Sequence, residues 1–319
     1  MKAYQVTSLE KDPEVVEIQA PKPKAGEVLI EVAACGLNFA DLLLAKGQYQ
    51  ERPELPFTLG SETSGTVVEL GEGVTTLKVG DRVAAMGGTG GLAQFSTSPA
   101  ARCTVIPDNM NFNDAAAFQI AYGTSHVALD YKAGLKAGET LLVLGAAGGV
   151  GMTAIEIGKL MGATVIACAR GADKLEICRK AGADHVIDSD KEDIREAVKA
   201  LGGADVVYDP VGGDQFKAAF RACKPEARIL VIGFATGTIP QIPANHLLVK
   251  NISVIGHYWG GYNYFKPEVI TDSMKQLMDW YAAGKLHPHI SFALPMDQAA
   301  EAMDMLRSRK STGKVVVTQ

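Results

Sequence analysis

The chain has 319 residues, of which 47% are hydrophobic and 21% are charged, and its formal net charge is −5. This balance excludes wholesale disorder and fibrous repeats, and the length is typical of two domains. The mild acidity argues against nucleic acid as the main partner, because binding to a phosphate backbone requires a basic surplus.

The N-terminus and the cysteines indicate a cytoplasmic protein. The first 18 residues carry charges throughout and lack the apolar core of a secretory signal. The longest apolar run, 141–155, is shorter than the roughly 20 residues that a bilayer span needs, so we expect no membrane partner. The cysteine count is odd and no CxxC occurs, so neither a disulfide framework nor a cysteine-rich zinc site is predicted.

Residues 1 to about 110 are predicted to form a β-rich barrel or sandwich. Short segments rich in Val and Ile, separated by Gly and Pro, are typical of strands. The predicted strands are 27–37, 63–71, 81–86, 93–98 and 102–107. One helix is predicted at 38–47, with Gly47 as its C-terminal cap.

From residue 114 onward the pattern changes to alternating helices and strands. Residues 114–131 are helical in composition. Apolar strands are predicted at 140–145, 164–170, 185–188, 205–212, 227–234 and 252–259, with helices at 149–162, 172–182, 191–202 and 214–223. Continuously apolar strands are typical of parallel strands buried on both faces, so we predict a doubly wound parallel sheet of the Rossmann type.

The last part of the chain resembles the first more than the middle. After Pro267 a long helix, a strand at 291–295, a helix at 297–310 and a strand at 313–319 are predicted. We therefore expect an α/β protein in which a Rossmann-type domain, 123–258, is inserted into a β-rich domain formed by 1–122 and 259–319. The last inserted strand would leave an apolar edge exposed, which favours a homodimer.

A glycine-rich segment between the first inserted strand and its helix predicts a dinucleotide site. Glycines allow a tight turn and a close approach of a pyrophosphate, and the helix N-terminus then offers free N–H groups. Ala146 replaces the first glycine of the GxGxxG pattern. The alternative is a glycine-rich helix start without a ligand. The predicted cofactor-binding residues here are Gly145, Ala147, Gly148, Gly149, Val150 and Gly151.

The end of the second inserted strand favours NADPH over NADH. A fold that prefers NAD carries Asp or Glu at this point to bind the ribose hydroxyls. Here the strand ends in Arg170, and Lys174 follows in the next helix. Both cations would attract a 2′-phosphate. Asp173, one helical step later, is a rival carboxylate for the ribose hydroxyls. Alternatively, Arg170 and Lys174 are only solvated residues at the start of a helix.

Several long strings resemble a known family over essentially the whole chain. They are CGLNFAD at 35–41, LPFTLGSETSG at 55–65, VGDRV at 79–83, the glycine loop and VYDPVGG at 207–213. The chain is similar to the zinc-free, zeta-crystallin-like quinone oxidoreductases of the medium-chain dehydrogenase/reductase superfamily. This resemblance implies a GroES-like fold for the β-rich domain and NADPH as cofactor.

The resemblance also implies that zinc is absent. The zinc alcohol dehydrogenases of the superfamily place Cys and His ligands where this chain has Asn38 and Ser61, and the stretch 86–92 lacks the cysteines of a second zinc site. Amide and hydroxyl groups are poor zinc ligands. Without a Lewis acid, oxidising an alcohol becomes difficult, and reducing a quinone or another α,β-unsaturated carbonyl is easier. A zinc alcohol dehydrogenase is the alternative.

The resemblance assigns site residues beyond the glycine loop. Asn38 is expected at the reaction centre and at the cofactor, and Tyr49 corresponds to a proton donor of related enoyl reductases. Thr124, Gly233 and Phe234 are expected to contact the cofactor. Asn38 could instead be only a helix N-cap, and Tyr49 only a packing aromatic.

We therefore predict a cytoplasmic, homodimeric NADPH-dependent reductase of a small-molecule quinone or enone. The alternatives are an enoyl-thioester or acryloyl-type reductase and a non-catalytic, crystallin-like NADPH-binding protein. One departure from the family concerns the adenosine end of the cofactor, where many members carry Tyr and this chain has Ser189.

Overall fold

The fold is that of a computed structural model, which describes residues 1–86 and 88–319. Gly87, which belongs to the cysteine-free stretch 86–92, lies outside the described residues. The chain forms two compact units. The first consists of Met1–Ile120 and Met278–Gln319, and the second of Ala121–Leu277. The second unit includes residues 259–277, although the sequence pattern predicts them in the return segment of the β-rich domain.

Strands and helices are numbered in chain order. The strands are β1 (Lys2–Val6), β2 (Glu14–Glu17), β3 (Glu27–Gly36), β4 (Phe57–Thr58), β5 (Glu62–Leu70), β6 (Arg82–Met86), β7 (Phe95–Pro99), β8 (Cys103–Val105), β9 (Thr140–Val143), β10 (Thr164–Ala169), β11 (His185–Asp188), β12 (Ala204–Asp209), β13 (Cys223–Val231), β14 (Ser253–Gly256), β15 (Ile290–Pro295) and β16 (Lys314–Thr318). The α-helices are α1 (Phe39–Ala45), α2 (Phe112–Ala116), α3 (Gln119–His126), α4 (Gly149–Leu160), α5 (Ala172–Lys180), α6 (Ile194–Ala200), α7 (Gly213–Ala222), α8 (Ala244–Lys250), α9 (Tyr262–Phe265), α10 (Pro267–Ala282) and α11 (Ala299–Arg307).

The first unit is built around the long strand β3. A seven-stranded sheet runs in the order β15-β16-β3-β5-β6-β8, with β7 also paired to β3, and a three-stranded sheet has the order β2-β1-β4. β3 is antiparallel to both β5 and β16, and Gly36 at its end is the register partner of Glu62 on one side and of Val316 on the other. This register brings the residues just after β3 close to the starts of β5 and β16.

The second unit contains a six-stranded parallel sheet in the order β11-β10-β9-β12-β13-β14. Numbered within the unit, this is the order 3-2-1-4-5-6 of a doubly wound sheet, as the sequence predicts. The central strand β9 is buried along its whole length, because helices cover both faces of such a sheet. The strand order reverses between β9 and β12, so a ligand crevice is expected at their carboxyl ends, where the glycine loop begins.

The segment 114–131 departs from the single helical stretch that its composition predicts. It contains α2 and α3, separated near Phe118, and continues as a π-helical turn at Val127–Lys132. The Phe118 ring is fully buried and meets the edge of the Tyr281 ring at a centroid distance of 5.8 Å. This contact joins residues far apart in sequence, so local composition does not predict the break. Within the described ranges, no helix is long and apolar enough to span a membrane.

Candidate functional site

The glycine loop of the second unit presents an open helix N-terminus. Gly145 has a φ of +57°, and the Gly148 N–H donates to its carbonyl oxygen at 3.0 Å, which closes a tight turn after β9. Gly148 is the extended N-cap of α4, and among residues 1–86 and 88–319 no side chain caps the helix. The first N–H groups of an α-helix lack intrahelical acceptors, and together with the helix dipole they attract an anion. The arrangement therefore suits the pyrophosphate of a dinucleotide.

Two glycines of this loop have different reasons to lack a side chain. A Cβ on Gly151 would lie 2.5 Å from the carbonyl oxygen of Gly145 and 2.7 Å from Cα of Ala146, so the packing of α4 against the loop requires glycine there. A Cβ on Gly148 would meet only the Gly145 oxygen, at 3.3 Å, and the φ of Gly148 is an ordinary −81°. Protein packing therefore leaves almost enough room for a side chain at Gly148. The main reason for glycine at this position is then the close approach of a ligand.

A buried hydroxyl network fixes α3 against the start of α4. The Ser125 hydroxyl lies 3.0 Å from the Val150 carbonyl, 2.8 Å from Thr153 Oγ1 and 2.9 Å from the hydroxyl of Tyr208 on β12. Thr124, which is 8% exposed, is thereby held on a helix anchored to the loop. Sequence reasoning identified Thr124 but missed this network. Its sequence signal is the pair of hydroxyl residues Ser125 and Thr153, one in each helix.

Arg170 follows β10, beside the end of β11. Its Nε lies 3.9 Å from Oδ1 of Asp190, and both side chains are more than half exposed. Asp188 accepts the backbone N–H groups of Gly171 and Asp190, each at 3.2 Å, and these bonds lower the pKa of its carboxyl. An exposed ion pair such as Arg170–Asp190 contributes little stability, so Arg170 can turn to a stronger anion. Lys174 lies in the first turn of the adjacent α5.

The loops after β12 and β13 pack together at the carboxyl edge of the sheet. Asp209 Oδ1 accepts the N–H groups of Val211 and Gly212 at 2.8 and 2.9 Å, which fixes the turn after β12. A Cβ on Gly212 would lie 3.3 Å from the ring of Phe234, so the two loops are in close contact. Gly233 is half-buried and Phe234 is partly exposed. Both residues lie at the edge where doubly wound sheets bind their ligands.

Asn38 of the first unit lies in a buried polar cluster. Its Oδ1 accepts a hydrogen bond from Lys314 Nζ at 2.7 Å. Its Nδ2 donates to Glu62 Oε2 at 3.1 Å and, more weakly, to the Gly36 carbonyl at 3.4 Å. Lys314 also donates to Glu62 Oε2 at 3.0 Å. The side chains meet because Gly36 pairs with β5 and β16 at the register described above.

Asp41 extends this cluster into α1. Asn38 is the N-cap of the helix, and its backbone N–H donates to Asp41 Oδ2 at 2.7 Å. Ser61 donates to the other carboxylate oxygen at 3.4 Å. Burial raises the pKa of Asp41 to about 6, although the bond from Asn38 opposes the shift. Asn38 is therefore a helix cap and a member of the polar cluster at once.

Tyr49 lies in the loop after α1. Gly47, with a φ of +66°, turns the chain at the end of the helix. The Tyr49 ring is half-buried and packs against the core cluster that contains Leu37, Leu42 and Phe57. The packing role that the sequence left open is thus present, and the assignment of Tyr49 as a proton donor stays a prediction.

The cluster around Asn38 does not suit a zinc ion. The groups at the two ligand positions of the zinc enzymes are an amide, Asn38, and a hydroxyl, Ser61, which are weak zinc donors. The ammonium of Lys314 is bonded to both Asn38 and Glu62, so a cation already occupies these oxygens. Across residues 1–86 and 88–319, no group of three or more His, Cys, Asp or Glu side chains could hold a metal ion.

Sequence reasoning missed Lys314, which makes the shortest side-chain hydrogen bond to Asn38 in this cluster, at 2.7 Å. It is 5% exposed, although lysine is rarely buried unless it is paired. The available signal is its position at the start of the apolar run KVVVT, which forms the buried strand β16. A charged residue inside an internal strand requires a buried partner of opposite charge, and sequence alone does not identify that partner.

Two family models and several known proteins match the chain. Residues 24–108 match the alcohol dehydrogenase GroES-like domain, and residues 149–282 match the zinc-binding dehydrogenase family. Quinone oxidoreductase-like protein 2 homolog of Nematostella vectensis is 43% identical over 91% of this chain and 81% of its own length. Quinone oxidoreductase-like protein 2 of Bos taurus is 40% identical over 97% of this chain and 90% of its own length. The crystal structure of Escherichia coli quinone oxidoreductase complexed with NADPH aligns over 100% of both chains with a TM-score of 0.92 and 28% identity.

Proposed function

Because the chain belongs to the quinone oxidoreductase family of the medium-chain dehydrogenase/reductase superfamily and is an oxidoreductase, we propose that it reduces a quinone or a related α,β-unsaturated carbonyl with NADPH, without zinc. The observation that carries the proposal is the uncapped N-terminus of α4 at the glycine loop, with Arg170 after the adjacent strand β10. The complex of the Escherichia coli enzyme with NADPH supports the choice of cofactor.

The second unit supplies the groups that would bind NADPH. The N–H groups at the start of α4, at Gly149, Val150 and Gly151, would hold the pyrophosphate, and the bare Cα of Gly148 leaves room for it. Arg170 and Lys174 would pair with the 2′-phosphate. Thr124, Gly233 and Phe234 complete the proposed contacts, together with Gly145 and Ala147. When bound, NADPH supplies a hydride from its nicotinamide ring.

Reduction of such an acceptor requires a proton and a group that stabilises the negative charge on oxygen. In a quinone or enone the charge is delocalised, so hydrogen-bond donors suffice and a metal is not required. The Asn38 amide can donate by exchanging its long bond to Gly36, 3.4 Å, for the acceptor oxygen. Tyr49 or a water molecule would then deliver the proton.

We further propose a cytoplasmic homodimer. β14 is an edge strand of the six-stranded sheet, and α8, which precedes it, exposes Leu248 and Val249 to 79% and 78%. A second copy would cover these apolar side chains and the edge of the sheet. All five cysteines are free thiols, which fits a reducing compartment.

The function is tested by following NADPH absorbance with three sets of acceptors: quinones, simple enones and enoyl thioesters. Turnover with quinones or enones, unchanged by chelator and without stoichiometric zinc, is the expected result. Tyr49→Phe and Asn38→Ala should lower kcat, and Tyr131→Phe, whose hydroxyl is bonded to Lys266, is the matched control. Turnover confined to enoyl thioesters would establish the rival reductase. NADPH binding without turnover of any acceptor would leave a non-catalytic binding protein.

A further inference from the structure

The buried Lys314 has no part in the function proposed so far. Its ammonium is bonded directly to the Asn38 amide, at 2.7 Å, and to Glu62, at 3.0 Å. We propose that Lys314, together with Glu62, is a positioning residue that locks the Asn38 carboxamide in a single orientation. This inference rests on the proposed function, because it matters for turnover only if Asn38 takes part in the reaction.

The donor and acceptor pattern permits one orientation of the amide. An ammonium can only donate and a carboxylate can only accept. With Asn38 Oδ1 toward Lys314 and Nδ2 toward Glu62, both contacts are hydrogen bonds. A flip of the amide would place Nδ2 against the ammonium and Oδ1 against the carboxylate. Both contacts would then be repulsive, and they would lie in a region from which water is almost excluded.

The two charged residues are themselves fixed by the sheet. Glu62 begins β5 and Lys314 begins β16, and these strands flank β3 on opposite sides. The second carboxylate oxygen of Glu62, Oε1, accepts the Ile120 N–H at 2.9 Å. Glu62 is fully buried and Lys314 is 5% exposed. The orientation of the amide is therefore determined by the register of three strands and not by local preference.

This orientation leaves one amide hydrogen available. Nδ2 donates one hydrogen bond to Glu62 at 3.1 Å and a longer one to the Gly36 carbonyl at 3.4 Å. The second N–H is therefore only weakly hydrogen-bonded. Because Lys314 prevents the flip, this N–H and not the amide oxygen is the group that a ligand would meet. A negatively charged oxygen that forms during reduction would be stabilised by an N–H and destabilised by a carbonyl oxygen.

The test removes both members of the Lys314–Glu62 ion pair, so neither is left buried without the other. Lys314→Met alone would leave the buried Glu62 carboxylate without its cation and could unfold the protein. The variant is therefore E62Q/K314M. Its Gln carbonyl can still accept the Ile120 N–H. We expect kcat to fall about tenfold while the Kd for NADPH stays within about twofold. Lys310→Met, at an exposed lysine shortly before β16, is the matched control and should leave kcat unchanged.

A double-mutant cycle with Asn38→Ala separates positioning from simple structural support. If Lys314 acts through Asn38, adding E62Q/K314M to Asn38→Ala should change kcat by no more than about twofold. If the kcat losses of E62Q/K314M and Asn38→Ala multiply in the combined variant, the proposal is overturned. Full activity of Asn38→Ala alone would also overturn it.

A spectroscopic measurement decides the matter even for a protein that turns over no acceptor. The side-chain amide signals of Asn38 in a ¹⁵N–¹H spectrum are assigned by their disappearance in Asn38→Ala. In the wild-type protein they should lie away from the free-amide region and exchange slowly with solvent, and in E62Q/K314M they should move into that region. Signals that are the same in both proteins would overturn the proposal, whereas absence of turnover alone would overturn only the proposed function.

Discussion

At the scale of single residues, Asp41 is a buried carboxyl whose pKa is raised. It is 1% exposed and burial raises its pKa, while Lys314 and Glu62 act on it in opposite directions. A folded-state pKa of about 6, against an ordinary value near 3.9, means that folding favours the protonated form. The stabilisation from this group is complete below about pH 4 and is lost as the pH rises through about 6.

Asp41→Asn should therefore become more stable relative to the wild-type protein as the pH rises from 4 to 7. Over this pH range a pKa shift of about two units corresponds to a relative change of about 2 kcal/mol in the free energy of unfolding. Urea denaturation followed by circular dichroism at several pH values measures it. Asp214→Asn, at an exposed carboxyl whose pKa is lowered by Lys217, is the control and should show no such trend above pH 5. If the difference in unfolding free energy between Asp41→Asn and the wild-type protein does not vary with pH, the raised pKa of Asp41 is contradicted.

Arg170 carries the proposed preference for a phosphorylated cofactor. Arg170→Ala should weaken NADPH binding roughly 10- to 100-fold, because a charge-assisted bond to phosphate is lost, and should change NADH binding by no more than about twofold. Fluorescence titration with each nucleotide gives both dissociation constants. The matched control is Arg179→Ala on α5, since Arg179 has the same side-chain exposure, 52%, and pairs with Glu176. Equal losses for NADPH and NADH would show that Arg170 does not recognise the 2′-phosphate.

At the scale of elements, the glycine loop combines two demands that sequence inspection does not separate. Gly148 and Gly151 both belong to the predicted fingerprint, but only Gly151 is required by the packing of the protein itself. The distinction depends on distances from the missing Cβ atoms to the backbone of the turn. Ala146 differs from both glycines in its backbone contacts, because its N–H donates to the Cys168 carbonyl at 3.0 Å and the chain still follows the sheet at this point.

Alanine at these two positions should have opposite consequences. Gly148→Ala should keep the thermal stability of the wild-type protein and lose NADPH affinity by about tenfold or more, because its methyl group would occupy space that we propose for the phosphates. Gly151→Ala should lower Tm by about 5 °C, because its Cβ would overlap the backbone of the turn. Differential scanning fluorimetry with and without NADPH measures both effects. Equal destabilisation of the two variants would contradict this division of roles.

At the scale of the whole molecule, the exposed apolar face of α8 predicts self-association. Leu248→Asp combined with Val249→Asp should convert a dimer into a monomer in sedimentation velocity, because two charges per copy would have to be buried. Leu201→Asp, at an apolar residue that is 40% exposed at the end of α6, is the control and should leave the dimer intact. A wild-type protein that sediments as a monomer would disprove the dimer outright.

The fold of the second unit could be predicted because its signals are local. Continuous apolar strands alternate with amphipathic helices, and these patterns require a parallel sheet that is covered on both faces. The glycine loop is also local, since the turn and the helix start lie within seven residues. By contrast, β1, β2, β4 and α8 were not predicted from the sequence. Such short elements depend on their packing partners more than on their own composition.

The sequence by itself therefore determined the class of fold, the position of the cofactor loop and the family resemblance, because each depends on residues that are close together in the chain. Only the tertiary structure decided what surrounds Asn38. Its partner Lys314 lies 276 residues away and reaches it through the pairing of β16 with β3. A buried charge requires a partner, but strand register selects that partner, and register follows from the packing of the whole sheet.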